Sequence, residues 1–164
     1  MKLIYTILLS FSIASCGIYS FTGASIPSEA KTVSVQYFNN KSATVQPTLS
    51  QVFTERLKDI FLEQTNLTLS ENEGDLSFRG HISKYQIKPM AIKANETAGK
   101  NRLTIAIKVT YNNSFNAENN FEKTFSRYRD YDSAQNISDI ESTLIEEITN
   151  ELAEDVFNKA FVNW

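Results

Sequence analysis

The only cysteine of the 164-residue chain, Cys16, stands at the end of an apolar stretch, where its thiol could be chemically modified. A single basic residue, Lys2, precedes an uncharged run from Leu3 to Ile13, and the small residues Ala14 and Ser15 lead to the cysteine. A basic start, an apolar run of roughly 7–15 residues and a small-residue cleavage site are typical of a secretory signal. The run is shorter than the roughly 20 residues that a membrane-spanning helix needs. The sequence therefore predicts export.

The segment Ile13-Ala14-Ser15-Cys16 is typical of a bacterial lipobox, in which the thiol is diacylglycerated, the bond before the cysteine is cut and the new amine is acylated. It predicts a signal peptide over residues 1–15, a lipidated linker over 16–30 and a single domain over 31–164. Several acyl chains, such as palmitate, anchor a protein stably to one leaflet. The alternative is a signal peptide without lipid that happens to end near a cysteine.

No catalytic constellation is evident in this sequence. His81 is the only histidine, and lipidation would use the only thiol, so neither a histidine cluster nor a cysteine nucleophile is expected. The chain also lacks a glycine-rich phosphate loop, a G-x-S-x-G motif and an S-x-x-K motif. We therefore predict that the protein is not an enzyme and has neither a cofactor nor a metal site.

Basic residues are concentrated in the middle of the chain, although the net charge is −3. Between Arg79 and Lys108 seven bases accompany one acid, Glu96, whereas seven acids accompany one base from Asn136 to the end. Such an uneven distribution can steer an anionic partner to one end of a protein. The alternative is that the lysines only keep a sheet edge soluble and unpaired. The candidate anion-binding residues are Lys84, Lys88, Lys93, Lys100 and Arg102.

Hydrophobic periodicity predicts four strands and two helices in the order βαβββα. The apolar phase changes at Ser83-Lys84, which predicts a β-bulge in the second strand. Thr48 with Gln51, and Ser138 with Glu141, have the spacing of helix capping boxes. The predicted strands are Thr32–Phe38 with Val33, Val35 and Tyr37 on one face, Leu76–Ile87, Arg102–Tyr111 and about Phe121–Tyr128, and Pro89–Lys100 is predicted to be a long loop.

The order of these elements indicates how they pack. A strand–helix–strand unit favours a right-handed parallel crossover, and the last three strands can join as a meander. Each helix has one apolar face, which has to be buried against the sheet. We therefore expect an α+β fold, a two-layer sandwich with two helices packed on one face of a four-stranded mixed sheet. The opposite face of the sheet is predicted to be polar.

Segments spread over the chain carry a resemblance to a known family: Cys16–Ile26, Val33–Asn40, Phe53–Asp59, Asn101–Ile105 and Asn163-Trp164. They resemble the Bacteroidetes family of lipopolysaccharide (LPS) assembly lipoproteins, LptE. The resemblance implies a lipoprotein that sits as a plug inside the large β-barrel LPS translocon, assists its assembly and binds LPS during export to the outer leaflet. The family's fold agrees with the α+β sandwich that the periodicity predicts.

Further expectations concern location and ligand. No acidic residue follows Cys16 until Glu29, which favours an outer-membrane anchor that faces the periplasm. In that compartment the five candidate bases are expected to bind the phosphates of LPS, and nucleic acid is excluded. The alternative function is a periplasmic lipoprotein that recruits or activates another envelope enzyme. Asp132-Ser133-Ala134 predicts a turn before the last helix, and it also fits the short O-glycosylation signal of Bacteroidetes periplasmic proteins.

Overall fold

A computed structural model describes residues 26–91 and 99–162 of the chain. Within this part, helix α1 covers Leu49–Gln64 and helix α2 covers Ile137–Phe161. A short 3-10 turn at Ala117–Asn119 separates the last two strands. Neither α1 nor α2 combines the length and the apolar character needed to cross a bilayer. The strands are β1 (Thr32–Val35), β2 (Asn39–Asn40), β3 (Thr68–Leu69), β4 (Leu76–Met90), β5 (Lys100–Asn113) and β6 (Phe121–Asp132).

The strands form one mixed sheet with the order β3-β1-β4-β5-β6, and β2 pairs with β4 beyond the end of β1. The β1–β3, β1–β4 and β2–β4 pairs are parallel, whereas β4–β5 and β5–β6 are antiparallel. The α+β class and the mixed sheet are confirmed. The predicted number of strands is wrong, because the described residues form six: β2 and β3 have two residues each, too few for an alternating pattern to show.

An extra residue between β1 and β2 reverses which side chains face the core. Val35 pairs with Phe78 and Asn39 pairs with His81, so the chain advances by four residues from β1 to β2 while β4 advances by three. As a result Phe38 is fully buried, and Tyr37 is 48% exposed. The prediction that Tyr37 shares a face with Val33 and Val35 is therefore wrong, because a one-residue insertion moves every later side chain to the opposite face.

The ring of Phe38 lies directly over Gly80 in β4. A Cβ atom built on Gly80 would come within 2.6 Å of Phe38 Cε1 and 2.0 Å of the carbonyl oxygen of Lys108. Glycine is therefore required here, because both the aromatic ring and the neighbouring strand occupy the space of a side chain. The Phe38 amide donates to the hydroxyl of Thr54 in α1, 3.1 Å away, which ties the same segment to the helix layer.

The predicted bulge in β4 is confirmed, since the β4–β5 register shifts between Ile82 and Lys84. It keeps Tyr85 on the buried face although the apolar phase of the sequence changes there.

The loop prediction is partly wrong, because β4 runs through Pro89 to Met90, which pairs with Lys100. The predicted turn after β6 is confirmed by hydrogen bonds from Gln135 N to Asp132 O, 3.0 Å, and from Ala134 N to Asp132 Oδ1, 2.8 Å.

Both helices pack on the same face of the sheet and against each other. Phe61 of α1 and Tyr111 of β5 both pack against Phe78, each with its ring centroid 4.7 Å from that of Phe78. Phe161 of α2 meets the same rings edge-on. The apolar periodicity of α2 also includes Ile140 and Leu144, which are only half-buried. The fully or almost fully buried residues of α2 include Ile145, Ile148, Leu152, Val156, Phe157 and Phe161.

Neither predicted capping box forms. At α1 the Gln46 side-chain oxygen accepts from the amides of Thr48 (2.8 Å) and Leu49 (2.9 Å). The residue that caps this helix therefore lies before the predicted capping position. At α2 the Asn136 side-chain oxygen accepts from the Ser138 amide at 3.3 Å. Both caps still satisfy amides of the first turn, which have no partner within the helix.

Replacing Gly80 with alanine should destabilise the protein strongly. The new methyl group would collide with backbone of β5, which can move only if the β4–β5 pairing moves, so we expect a loss of about 3 kcal/mol in the free energy of unfolding. Urea unfolding monitored by circular dichroism measures the effect. Gly99→Ala is the matched control, because its Cβ would meet only the Ser133 side chain. A Gly80→Ala variant as stable as the Gly99→Ala variant would contradict the close packing described above.

Candidate functional site

Strands β4, β5 and β6 extend together beyond the point where β1 and β2 end. The last described pairing of β2 with β4 is at Ile82, whereas the β4–β5 pairing continues to Met90 and the β5–β6 pairing to Asp132. We call this part the distal sheet; it comprises 83–90 of β4, 100–106 of β5 and 126–132 of β6. Its inner face lies under the start of α2, and its outer face is the face opposite the helices.

The strand register brings the predicted basic residues together on the outer face of the distal sheet. Lys88 pairs directly with Arg102, and Lys84 lies four residues earlier on the same strand and face. Lys100 lies two residues before Arg102 and therefore also faces outward. Lys93 and Cys16 lie outside the described residues. Four of the five candidate bases thus share one surface, although they come from two strands.

Arg102 differs from the lysines because it forms an ion pair with a residue of the neighbouring strand. Its Nε and Nη2 atoms donate to the two carboxylate oxygens of Asp130 at 2.6 and 2.8 Å, and its guanidinium lies 3.7 Å from the ring centroid of Tyr128. This hydrogen bonding lowers the pKa of Asp130 and raises the pKa of Arg102. Sequence reasoning missed Asp130, because its position opposite Arg102 depends on the β5–β6 register.

Lys84 and Lys88 provide positive charge that no described residue neutralises. Both are exposed, and neither forms an ion pair within residues 26–91 and 99–162. Two apolar side chains on the same stretch of β4 are also accessible to solvent: Ile87 is 38% exposed and Met90 is 36% exposed. Met90 shares the outer face with the lysines, whereas Ile87 lies on the inner face. The outer face therefore combines lysines with an accessible apolar group, which suits an amphipathic anion.

Three of the seven acidic residues near the C-terminus pair with arginines of β6. Arg127 Nη2 lies 2.6 Å from Asp155 Oδ1, and Arg129 Nε lies 2.8 Å from Glu147 Oε2. Arg129 also donates to Glu151, which lowers the pKa of that carboxyl and contributes to the raised pKa of Arg129. These three carboxylates bind α2 to β6, and the charge asymmetry seen in the sequence is reduced on the folded surface.

A hydrogen bond joins the inner face of the distal sheet to α2. The Tyr85 hydroxyl donates to a carboxylate oxygen of Glu141. Burial and this carboxylate raise the pKa of Tyr85 well above its usual range, so the phenol stays protonated at neutral pH. Glu141 was predicted to cap its own helix, and it instead holds α2 against β4.

A cavity of about 690 Å³ lies away from the distal sheet, between β1, the segment after β3, and α1. Its wall carries bases and acids side by side, including Lys58, Arg79, Glu71 and Glu73. Such a mixture does not favour an anion over a cation. Among the described residues no group of three or more potential metal ligands is positioned to hold a metal ion. The distal sheet is therefore the better candidate for an anion site.

Comparison with known proteins assigns the chain to a family. The family model of LptE, described as lipopolysaccharide-assembly, matches residues 30–160. The chain belongs to the LptE family. The match covers every strand of the described sheet and almost all of α2. No curated protein matches the chain significantly in sequence.

Solved structures show that the fold is shared with distant proteins. A minor lipoprotein from Acinetobacter baumannii superposes with a TM-score of 0.52 at 15% identity, covering 79% of this chain and 91% of that one. A hypothetical protein from Chlamydia trachomatis gives a TM-score of 0.51 at 7% identity, with 82% and 99% covered. At these identities the likeness concerns the fold alone.

The ion pair with Arg102 should lower the pH at which Asp130 titrates. The folded pKa of Asp130 lies below its unfolded value of about 3.9, so the stability that the pair contributes is present above that pH and disappears as the pH falls through the lower folded value. Carboxyl-carbon NMR titration of the parent should give a depressed Asp130 midpoint. In an Arg102→Gln variant, or at high salt, that midpoint should rise toward the ordinary value. An unchanged midpoint in Arg102→Gln would show that the pair does not hold the carboxylate.

Proposed function

We propose that this LptE-family protein is an outer-membrane lipoprotein that serves as plug and assembly partner of the β-barrel LPS translocon and binds LPS during export to the outer leaflet. The observation that carries the ligand assignment is the outward-facing lysine cluster of the distal sheet, with Lys84 and Lys88 unpaired among the described residues. The family match supports a role in LPS assembly without catalysis. Within the family, the sequence resemblance favours the Bacteroidetes branch.

The proposed ligands of the LPS phosphates are Lys84, Lys88, Lys93, Lys100 and Arg102. Exposed charge pairs contribute only about 0–1 kcal/mol each, so several must act together to hold a polyanionic lipid A headgroup. Inside a barrel, away from bulk water, the same contacts gain strength while the lipid can still leave. Arg102 has a second role in this arrangement, because its pairing with Asp130 holds β5 against β6 beneath the lysines.

An accessible apolar group beside the lysines suits the acyl chains of such a ligand. Met90 lies two residues after Lys88 on the same face, and its exposed side chain can contact an acyl chain while the phosphates lie on the lysines. Burial of apolar surface contributes roughly 25 cal/mol per Å². The distal sheet therefore suits a molecule with phosphates next to hydrocarbon better than it suits a purely ionic ligand.

The proposed organisation of the chain follows the sequence. Residues 1–15 form a signal peptide, Cys16 carries the lipid, 16–30 form the linker and 31–164 form the domain. Purification from membranes in mild detergent tests the proposed partner: the plug should copurify with a large β-barrel in roughly equal amounts. Recovery without a barrel, or with a soluble envelope enzyme, would favour the alternative role in recruiting or activating an enzyme.

Reversing Lys88, Lys93 and Lys100 to glutamate should weaken LPS binding by at least about tenfold at low salt, because attraction to the phosphates becomes repulsion. The loss should shrink as salt is raised, since screening weakens both effects. Titration with fluorescently labelled LPS measures the affinity. The control carries Lys31→Glu, Lys123→Glu and Lys159→Glu, which change the net charge equally away from the distal sheet. If the two triple variants bind LPS equally well, the distal lysines are only a solubilising surface.

Replacing Cys16 with alanine should yield a folded domain that no longer stays in the membrane. The lipid on this thiol is the proposed anchor, and neither described helix could span a bilayer in its place. Membrane fractionation with immunoblotting gives the distribution, and thermal unfolding of the released protein verifies that the domain is intact. A Ser15→Ala variant is the neighbouring control, because it retains the thiol. Retention of Cys16→Ala in the outer membrane would mean that binding to the barrel suffices.

A further inference from the structure

One edge of the distal sheet lacks a strand partner among the described residues. On the side of β4 opposite β5, β1 pairs as far as Phe78 and β2 as far as Ile82. The last described bond on this side runs from the Lys41 amide to the Ile82 carbonyl, 2.9 Å. From Ser83 onward no described strand lies beside β4, although β4 itself continues to Met90.

The register identifies which backbone groups point out of this edge. Phe78 and Ile82 accept from Gln36 and Lys41, so their backbone groups face away from β5. Alternate residues of a strand point to opposite neighbours, and the bulge at Ser83 shifts this alternation by one residue. The pairs of β4 with β5 that follow are Lys84 with Ala106, Gln86 with Thr104 and Lys88 with Arg102. The backbone groups of these three residues of β4 are therefore hydrogen-bonded to β5.

The residues between them, Tyr85, Ile87 and Pro89, carry the outward groups. The position of Pro89 agrees with this assignment, because proline has no amide hydrogen and is tolerated where that group would point away from the sheet. The edge thus offers amide donors at Tyr85 and Ile87 and carbonyl acceptors at all three residues. Within the described part of the chain none of these backbone groups has a hydrogen-bond partner outside the β4–β5 ladder.

The side chains along the edge determine what kind of strand could pair with it. Lys84 and Lys88 stand on the outer face, and Ile87 is partly exposed on the inner face. Residues directly opposite each other on paired strands have Cβ atoms roughly 4.5–5.5 Å apart, so opposite charges stabilise and like charges destabilise the pair. A second copy of the same edge would place lysines against lysines. A strand with carboxylates opposite the lysines and an apolar residue opposite Ile87 is complementary.

We propose that the Lys84–Lys88 edge of β4 binds an extended, acidic segment of another protein as an additional strand of the sheet. The backbone of Tyr85 and Ile87 supplies the hydrogen bonds, and Lys84 and Lys88 select carboxylates on the outer face. The lysines and Pro89 also prevent promiscuous edge pairing, because charge and missing donors are the usual protection of an edge strand. This inference concerns a protein partner and does not require LPS binding.

A labelled peptide tests the proposal with the full-length chain. The probe is acetyl-Glu-Val-Thr-Val-Glu-amide carrying a fluorophore, and binding is followed by fluorescence anisotropy. The same peptide with lysine in place of both glutamates should bind about tenfold more weakly, because two cross-strand attractions become repulsions. Amide hydrogen exchange should show Tyr85 and Ile87 unprotected in the free protein and protected with the peptide. Protection already present in the free protein would overturn the proposal, because another part of the chain would then occupy the edge.

Two variants of the protein separate backbone pairing from side-chain contact. Ile87→Pro removes an outward amide and leaves the β4–β5 ladder complete, so peptide binding should be lost; Ile87→Ala, which keeps the amide, should bind only a few-fold more weakly than the parent. Lys84→Glu alone should abolish the preference between the two peptides, and Lys84→Glu combined with Lys88→Glu should reverse it, without any backbone change. Equal binding of both peptides by the parent, or by the double variant, would refute the proposal. Peptide binding is measured without LPS, and LPS binding is measured without the peptide, so failure here is distinguishable from failure of the proposed LPS site.

Discussion

The structure depends on the antiparallel pairing of β4 with β5. This register places Leu76, Phe78, Ile82 and Tyr85 of β4 on the face that the helices cover, and the bulge at Ser83 keeps the last of them there. A slip by one residue would move every apolar side chain of the hairpin to the outer face. Both helices, the aromatic cluster around Phe78 and the outward row of lysines therefore depend on the same alignment.

The arginines of the distal sheet have a different use from Lys84 and Lys88. Arg102, Arg127 and Arg129 bind carboxylates of neighbouring elements with more than one donor, which the planar guanidinium allows. Lys84 and Lys88 remain exposed on the outer face. The arginines hold β5, β6 and α2 together, whereas Lys84 and Lys88 form no ion pair among the described residues. This division explains why a simple count of basic residues overestimates the charge available for binding.

The start of β1, the first strand of the sheet, lies far from the distal sheet. Asp75, just before β4, accepts from the amides of Lys31 (2.9 Å) and Thr32 (3.0 Å) and from the Thr32 hydroxyl. These bonds lower the pKa of Asp75, so the carboxylate that fixes the start of β1 is charged at neutral pH. The fifteen residues of β4 then span roughly 45 Å to Met90. The proposed lipid linker thus joins the domain at the end opposite the lysines.

The sequence by itself determined the main elements, the β-bulge and the basic segment, because long apolar alternation and clustered charge are local properties that survive in any fold. The apolar alternation of β5 is uninterrupted, and Leu103, Ile105, Ile107, Val109 and Tyr111 are all buried. Only the tertiary structure decided the short strands β2 and β3, the burial of Phe38 in place of Tyr37, the caps from Gln46 and Asn136, and the pairing of Arg102 with Asp130. These features depend on which strands become neighbours and on where one extra residue shifts their register. That information is absent from the local pattern, because the partners of each contact lie far apart in the chain.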